Sequence, residues 1–297
     1  MCGIMGYYSF GKELPDKNKL SKMFSLLETR GRDASGFAYI NEDGNLNIHK
    51  APIKASEMIK TEEWKKLLLP KSMIMHCRMK TQGSEKNNMN NHPLFNKLGI
   101  AIVHNGIIHN DEEIIGKKQR DGEVDSEAIL QLLSLKYKGD KIKRLFDKIE
   151  GSFAVAILNS SERDKLILIK KDNPIDLYFD SESEIFYFCS ERYIMQEALG
   201  IKGMTKMGFN IGESNYHFYE MNNNHSLIIN KDGVEAYQRY VPRGNWYDRR
   251  FYNYESERDK VECPWCFSQT KYDCEKQSNR CEVCGVEIDE EDLYNVI

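Results

Sequence analysis

The sequence predicts an α+β fold: two layers of strands between outer helices, a four-layer α-β-β-α sandwich, followed by a small metal-stapled module. Three observations predict it. β-branched and aromatic runs of strand length recur through residues 3–240. Between them lie segments whose apolar residues return at helical spacing. Near the end of the sequence, two Cys-x-x-Cys pairs stand fourteen residues apart, a spacing suited to one tetrahedral metal.

Taken in order, residues 3–10 read as a strand, broken by Gly11 and Pro15. Over residues 16–29, Leu20, Met23, Phe24 and Leu27 mark the inner stripe of a helix. It runs into the charged turn Arg30-Gly31-Arg32-Asp33-Ala34-Ser35-Gly36 and a strand at 37–40. Glycines on both sides of that turn suit a tight helix-to-strand connection. Glu42-Asp43-Gly44-Asn45 signals a hairpin, and its return strand reaches Ala51. A helix is expected at about 56–69, then strands at 72–77 and 99–103, the second running into His104-Asn105-Gly106. Asp125 is expected to cap a helix over 126–137, with Ile129, Leu132 and Leu133 facing inward. Strands at 151–158 and 165–170 read as the second sheet of the sandwich, and strands at 177–179 and 185–189 follow. Ser190-Glu191 opens a helix to Leu199, and strands near 215–221, 227–230 and 235–240 close the domain.

Composition excludes several classes. A net charge of −4 on 297 residues gives no overall pull toward nucleic acid or a membrane surface. No apolar run approaches the roughly 18 residues of a membrane span, and no secretory h-region opens the sequence, so a cytoplasmic location is expected. There the eight cysteines are expected to stay reduced, and the four in Cys-x-x-Cys pairs to bind metal. Cys77 and Cys189 read as small buried hydrophobes.

The chemistry starts at Met1-Cys2-Gly3-Ile4-Met5-Gly6. A cysteine directly after the initiator becomes the first residue once Met1 is clipped. It then carries a thiol nucleophile and an α-amine that can serve as its base. This stretch resembles the amino terminus of class II glutamine amidotransferases, a family of N-terminal-nucleophile hydrolases that take ammonia from glutamine. Further motifs are similar in the family's order: the Arg30–Gly36 turn, His76-Cys77-Arg78-Met79-Lys80-Thr81-Gln82-Gly83, Asn91-His92-Pro93, His104-Asn105-Gly106, and Val124-Asp125-Ser126-Glu127. The resemblance covers residues 2–240 and implies the N-terminal-nucleophile hydrolase sandwich. It implies Cys2 as nucleophile, Asn105 and Gly106 as oxyanion donors, Arg78 as carboxylate clamp with Thr81 in support, Asp125 as ammonium clamp, and Arg30 packed against the nucleophile. The Arg78 loop departs from the family at Met79 (for Trp), Lys80 (for Ala) and Gln82 (for His). The implied reaction is glutamine amide hydrolysis, releasing glutamate and ammonia, with L-glutamine as substrate and no organic cofactor.

Residues 241–260 form a linker that interleaves arginines with aromatics, a pattern of arms packed on their own domain or stacked on single-stranded bases. Residues 261–297 resemble a zinc ribbon, with Cys263, Cys266, Cys281 and Cys284 as the four thiolates of a structural zinc and Cys274 in reserve. The family's usual synthase domains have no counterpart in the last 60 or so residues. The expected partner is therefore a separate protein carrying the ammonia acceptor, with nucleic acid possible through linker and ribbon. Two alternatives remain open at this stage: a different N-terminal-cysteine amide hydrolase, and a non-catalytic scaffold that binds glutamine or a partner.

Overall fold

A computed structural model describes residues 1–117, 120–134, 140–201, 207–211, 214–218, 220–241 and four short strands beyond them. The chain divides into two compact units, Met1–Pro242 and Arg243–Ile297.

In the first unit the chain runs β1 (Gly3–Ser9), α1 (Lys17–Leu26), β2 (Ala34–Ile40), β3 (Leu46–Ala51), α2 (Ala55–Met58), α3 (Glu62–Lys66) and β4 (Ser72–Arg78). There follow β5 (Leu94–Phe95), β6 (Ile100–Ile108), α4 (Asp111–Ile115), α5 (Glu127–Ser134) and α6 (Lys141–Lys148). Next come β7 (Gly151–Asn159), β8 (Leu166–Lys171), β9 (Asp176–Asp180), β10 (Ile185–Cys189) and α7 (Arg192–Leu199). The unit ends with β11 (Met207–Ile211), β12 (Ser214–Phe218), β13 (His225–Asn230) and β14 (Gly233–Arg239).

Two six-stranded sheets result, in the orders β3-β2-β4-β1-β10-β9 and β14-β13-β8-β7-β6-β5. Neighbouring strands in both pair antiparallel. Strand alternation assigns the layers. From β1, Ile4 and Tyr8 enter the core between the sheets, with Val103, Ala156 and Leu168 opposite. Met5 and Tyr7 point the other way, onto Leu20, Met23 and Phe24 of α1 and Ile194 and Met195 of α7. The second sheet packs its outer face, with Ile102, Phe153 and Val155, on α5 and α6 through Ile129, Leu132, Leu145 and Phe146. Three apolar layers thus separate four layers of secondary structure. Each fully buried Leu, Met or Phe contributes about 1.5–3 kcal/mol through removal from water.

Local sequence explains most boundaries. Asp16 starts α1 by accepting the Asn18 and Lys19 amides at 2.7 and 3.2 Å. The single helix expected at 56–69 is instead two short ones. Thr61 accepts the Trp64 amide at 3.3 Å, so a capping residue starts α3 just after α2 ends at Met58. Helix α6 was not anticipated, although Asp140 caps it in the same way and Ile142, Leu145 and Phe146 give it a buried stripe. The strands at 177–179 and 185–189 follow those of the second sheet in sequence but return to the first, where β10 pairs with β1 from Met5↔Cys189 to Ser9↔Ile185.

In the second unit, β15 (Lys260–Glu262) pairs with β16 (Gln269–Lys271), and β17 (Ser278–Arg280) with β18 (Glu287–Asp289). The linker call and Cys263, Cys266, Cys274, Cys281 and Cys284 lie outside the described residues.

Candidate active site

Cys2 immediately precedes β1. Because Gly3 pairs with Cys77, the end of β4 and the loop after it lie beside Cys2, whose Sγ donates to the Met79 carbonyl at 3.5 Å. The Cys2 carbonyl oxygen takes two donors. Arg30 Nε reaches it at 3.1 Å. The Asn105 amide, oriented as its neighbours require, donates to it at 3.0 Å while its oxygen accepts from Arg30 Nη2 at 3.3 Å. Arg30 is itself anchored by Glu191 at the start of α7, with Nη1 2.5 Å from the carboxylate. Ser190 ties the same segment to β1: its Oγ accepts from the Ile4 amide at 2.9 Å.

The loop after β4 is held from two sides. Asp33 accepts the Lys80 amide at 2.6 Å and donates its own amide to the Arg78 carbonyl at 3.0 Å. Gly31 lets that loop approach: a Cβ there would fall 2.3 Å from the Arg78 carbonyl carbon. Arg78 is buried, donating from Nη1 to Asn91 Oδ1 at 3.0 Å and from Nη2 to the Gln82 and Gly83 carbonyls, the latter at 3.1 Å. Gln82 then reaches across, its side-chain oxygen accepting the Asp125 amide at 3.2 Å. Thr81 is exposed in this loop.

On the second sheet, β6 carries Asn105, buried, and Gly106 at φ +156°, where a side chain would meet the Ser152 carbonyl at 2.0 Å. Asp125 stands two residues before α5. Its carboxylate does not cap that helix as expected. It accepts the Ile108 amide at 2.7 Å and the Ser126 hydroxyl at 3.2 Å, which ties it to β6 instead.

These groups share one electrostatic neighbourhood. Burial raises the Cys2 thiol above its usual value; the Met79 backbone, the terminal ammonium and Arg78 pull it down, and Asp125 adds to the rise. Burial lowers Arg78, and Cys2, Asp33, Glu85 and Asp125 oppose that. Cys77 and Cys189 are fully buried, and desolvation drives Cys189 up to about 12. So Cys2, Arg30, Arg78, Asn105 and Asp125 come together, while exposed Thr81 makes no hydrogen bond that orients it inward among the described residues. Asp33, Gln82 and Ser126 have no role that the motifs predict, and Glu191 has only that of a helix start. Asp33 and Glu191 were visible only as charges inside motifs, and nothing in sequence marked Gln82 as a bridge.

A family model described as "Glutamine amidotransferase domain" matches residues 76–197, from the β4 histidine through most of α7. Among curated relatives, glutamine–fructose-6-phosphate aminotransferase (isomerizing) of Clostridium tetani is 29% identical over 274 residues. That alignment covers 88% of this chain and 40% of the relative. The Aquifex aeolicus enzyme of the same name is 35% identical over 184 residues, 59% of this chain and 30% of the relative. The chain matches a glutamine amidotransferase domain over residues 76–197. It spans less than half the length of these relatives. In fold, this domain is similar to glutamine phosphoribosylpyrophosphate amidotransferase from B. subtilis. The TM-score is 0.60 at 20% identity, over 81% of this chain and 49% of that one. The family match begins at His76, so Cys2 and Arg30 lie before it.

Proposed function

We propose that the protein hydrolyses the side-chain amide of L-glutamine and hands the ammonia to an acceptor outside residues 1–297. In this reading Met1 is removed, and the freed α-amine of Cys2 takes the thiol proton as the sulfur attacks the amide carbon. The Asn105 amide has two N–H groups. One holds the Cys2 carbonyl, and the other, with the Gly106 backbone N–H, is left for the oxyanion. Ammonia departs with the proton held by the amine, leaving a γ-glutamyl thioester that water converts to glutamate. Arg78 and Asp125 take the α-carboxylate and α-ammonium, so remote contacts orient the reacting amide. The exposed Thr81 is kept as a donor that turns inward only when glutamine orders the loop.

The observation that carries the reading is the bond from Asn105 to the Cys2 carbonyl. It puts an amide donor of the second sheet at the backbone of the proposed nucleophile on the first. Purified protein should show an intact mass lacking Met1 and release glutamate from glutamine, and Cys2→Ala should abolish release. Cys2→Ser should keep only a trace, since an alcohol is far less ionised than a thiol. Retained Met1 with no turnover would favour a binding scaffold instead.

The second unit is proposed to be a zinc ribbon. Its two strand pairs bracket, in sequence, the segments that hold Cys263 with Cys266 and Cys281 with Cys284. Four thiolates would fill a tetrahedral zinc and leave no open position, so the metal would supply folding energy rather than chemistry. Docking to the partner that accepts ammonia is the role proposed for this unit, with nucleic acid the second choice because the acidic tail at 287–292 opposes it.

A further inference from the structure

Three histidines that the proposed chemistry does not use lie buried behind the site. His76 is on β4, two residues before Arg78; His104 is on β6, one before Asn105; His92 precedes β5. The His76 and His92 rings stack with centroids 4.3 Å apart, and the His104 ring is 6.4 Å from that of His92. Hydrogen bonds continue from this stack to the head-group side. His76 Nε2 lies 3.0 Å from the His104 carbonyl oxygen. His104 Nδ1 lies 2.7 Å from Ser126 Oγ, and Ser126 Oγ lies 3.2 Å from Asp125 Oδ1.

Donor counting gives this chain a direction. A carbonyl only accepts, so His76 carries its proton on Nε2. A carboxylate only accepts, so the single Ser126 hydroxyl proton points at Asp125. Ser126 must then accept from the ring, which makes His104 the Nδ1–H tautomer; the rival acceptor is the Ser152 carbonyl beside Nε2, but Nε2 makes no hydrogen bond of good geometry among the described residues. Burial supports neutral rings at all three positions. Arg78, Asn105 and Asp125, three of the side chains proposed to touch glutamine, thus each have a member of the relay one or two residues away along the chain.

We propose that His104 and Ser126 are positioning residues: their hydrogen bonds fix the Asp125 carboxylate relative to Asn105, and so fix the distance between the head-group clamp and the oxyanion donor. That distance is what separates glutamine from asparagine, which is one methylene shorter and cannot fill both ends at once. A methylene in a rigid site is worth roughly 10–200-fold in kcat/KM, and a site whose two ends move independently loses part of that. The kinetic part rests on the glutaminase reading; the hydrogen-bond direction does not.

The test joins NMR of the full chain labelled with ¹⁵N-histidine to kinetics on both amides. His104 is expected to show a protonated Nδ1 and a bare Nε2, a signature that Ser126→Ala alters. Ser126→Ala is expected to lower kcat/KM for glutamine about tenfold and to shrink the glutamine-to-asparagine ratio, with partial recovery in Ser126→Thr, which keeps the hydroxyl. Added to Asp125→Asn, the same change should cost less than twofold, because it acts through the carboxylate. An Nε2–H tautomer, an unchanged substrate ratio or full additivity would each overturn the proposal. Wild-type protein that hydrolyses neither amide would overturn the glutaminase reading, and the tautomer would then decide the relay alone.

Discussion

Arg30 and Asn105 meet on one atom: both donate to the carbonyl oxygen of Cys2, at 3.1 and 3.0 Å, and Asn105 returns an acceptor to Arg30 at 3.3 Å. The peptide after the proposed nucleophile is therefore gripped by side chains from the α1–β2 turn and from the opposite sheet. The thiol is aimed by its backbone, with no separate imidazole in contact with it among the described residues.

Asn105→Ala should lower kcat by roughly 10²–10³ with a smaller effect on KM, as expected for a donor used mainly in the transition state. Arg78→Lys should show the reverse, about a tenfold rise in KM with kcat less affected, since lysine keeps charge and loses the fork. Steady-state glutamate release separates the two, and swapped phenotypes would mean the roles are exchanged.

Gly31→Ala tests the loop rather than the chemistry. Its new methyl would lie 2.3 Å from the Arg78 carbonyl carbon and 2.4 Å from the Met79 nitrogen, both backbone atoms with little room to yield. Overpacking of this kind costs about 1–3 kcal/mol, readable as a lower denaturant midpoint. Because the displaced strand end carries Arg78, KM for glutamine should rise in the same variant. A variant as stable as wild type with unchanged KM would contradict this account.

The histidine stack gives a pH dependence with a definite sign. Burial is the main cause in each case, holding His76 down to about 3, His92 well below its usual value and His104 lowered; Lys50 and Arg78 push His92 the same way, and Asp125 opposes for His104. Folded values below unfolded ones mean that the unfolded chain binds more protons. Stability is therefore fully present above about pH 6.5 and lost as pH falls toward 3, by up to about 1.4 kcal/mol per pH unit for each histidine. His92→Phe keeps the stacking shape, and neither His92 ring nitrogen reaches a partner among the described residues. Thermal melts from pH 7 to 5 should be shallower in pH for His92→Phe than for wild type, and parallel curves would count against a buried neutral His92.

For the second unit, elemental analysis should find about one zinc per chain, lost when Cys263 and Cys266 both become Ser. Truncation is placed after Pro242, where the first unit ends, which keeps Tyr240 stacked on Phe146 at 4.6 Å and buried with α6. The truncated protein should retain glutamine hydrolysis. Loss of hydrolysis with an unchanged circular dichroism spectrum would mean the second unit enters the active site.

What could be read from sequence was what local chemistry dictates. Strand alternation in residues 3–10 and the helical spacing of Leu20, Met23 and Phe24 are printed in the chain, and the structure has β1 and α1 there. Thr61 and Asp140 are legible as caps too, the first dividing the helix expected at 56–69 and the second starting α6. Sheet membership was not legible: Phe186 and Phe188 look like any buried strand until β1 provides the edge that β10 joins. The motifs brought Cys2, Arg78, Asn105 and Asp125 to notice singly. Their ties through Asp33, Gln82 and Ser126 depend on pairs distant in sequence, such as Asp33 with Lys80, that no spacing rule connects.

The position of β1 also sets a schedule. Its inner edge is completed by β10, and Ile4 bonds to Ser190 across 186 positions of sequence. At translation rates of roughly 5–20 residues per second, that partner emerges some 10–40 seconds after β1 has been made. Through that interval β1 lacks its second neighbour in the sheet, and Arg30 has no Glu191 to hold it. The nascent chain thus carries a cysteine without the surroundings that would make it a nucleophile. The proposed ammonia release therefore cannot begin before Ser190 and Glu191 emerge, when nearly two thirds of the protein has been synthesised.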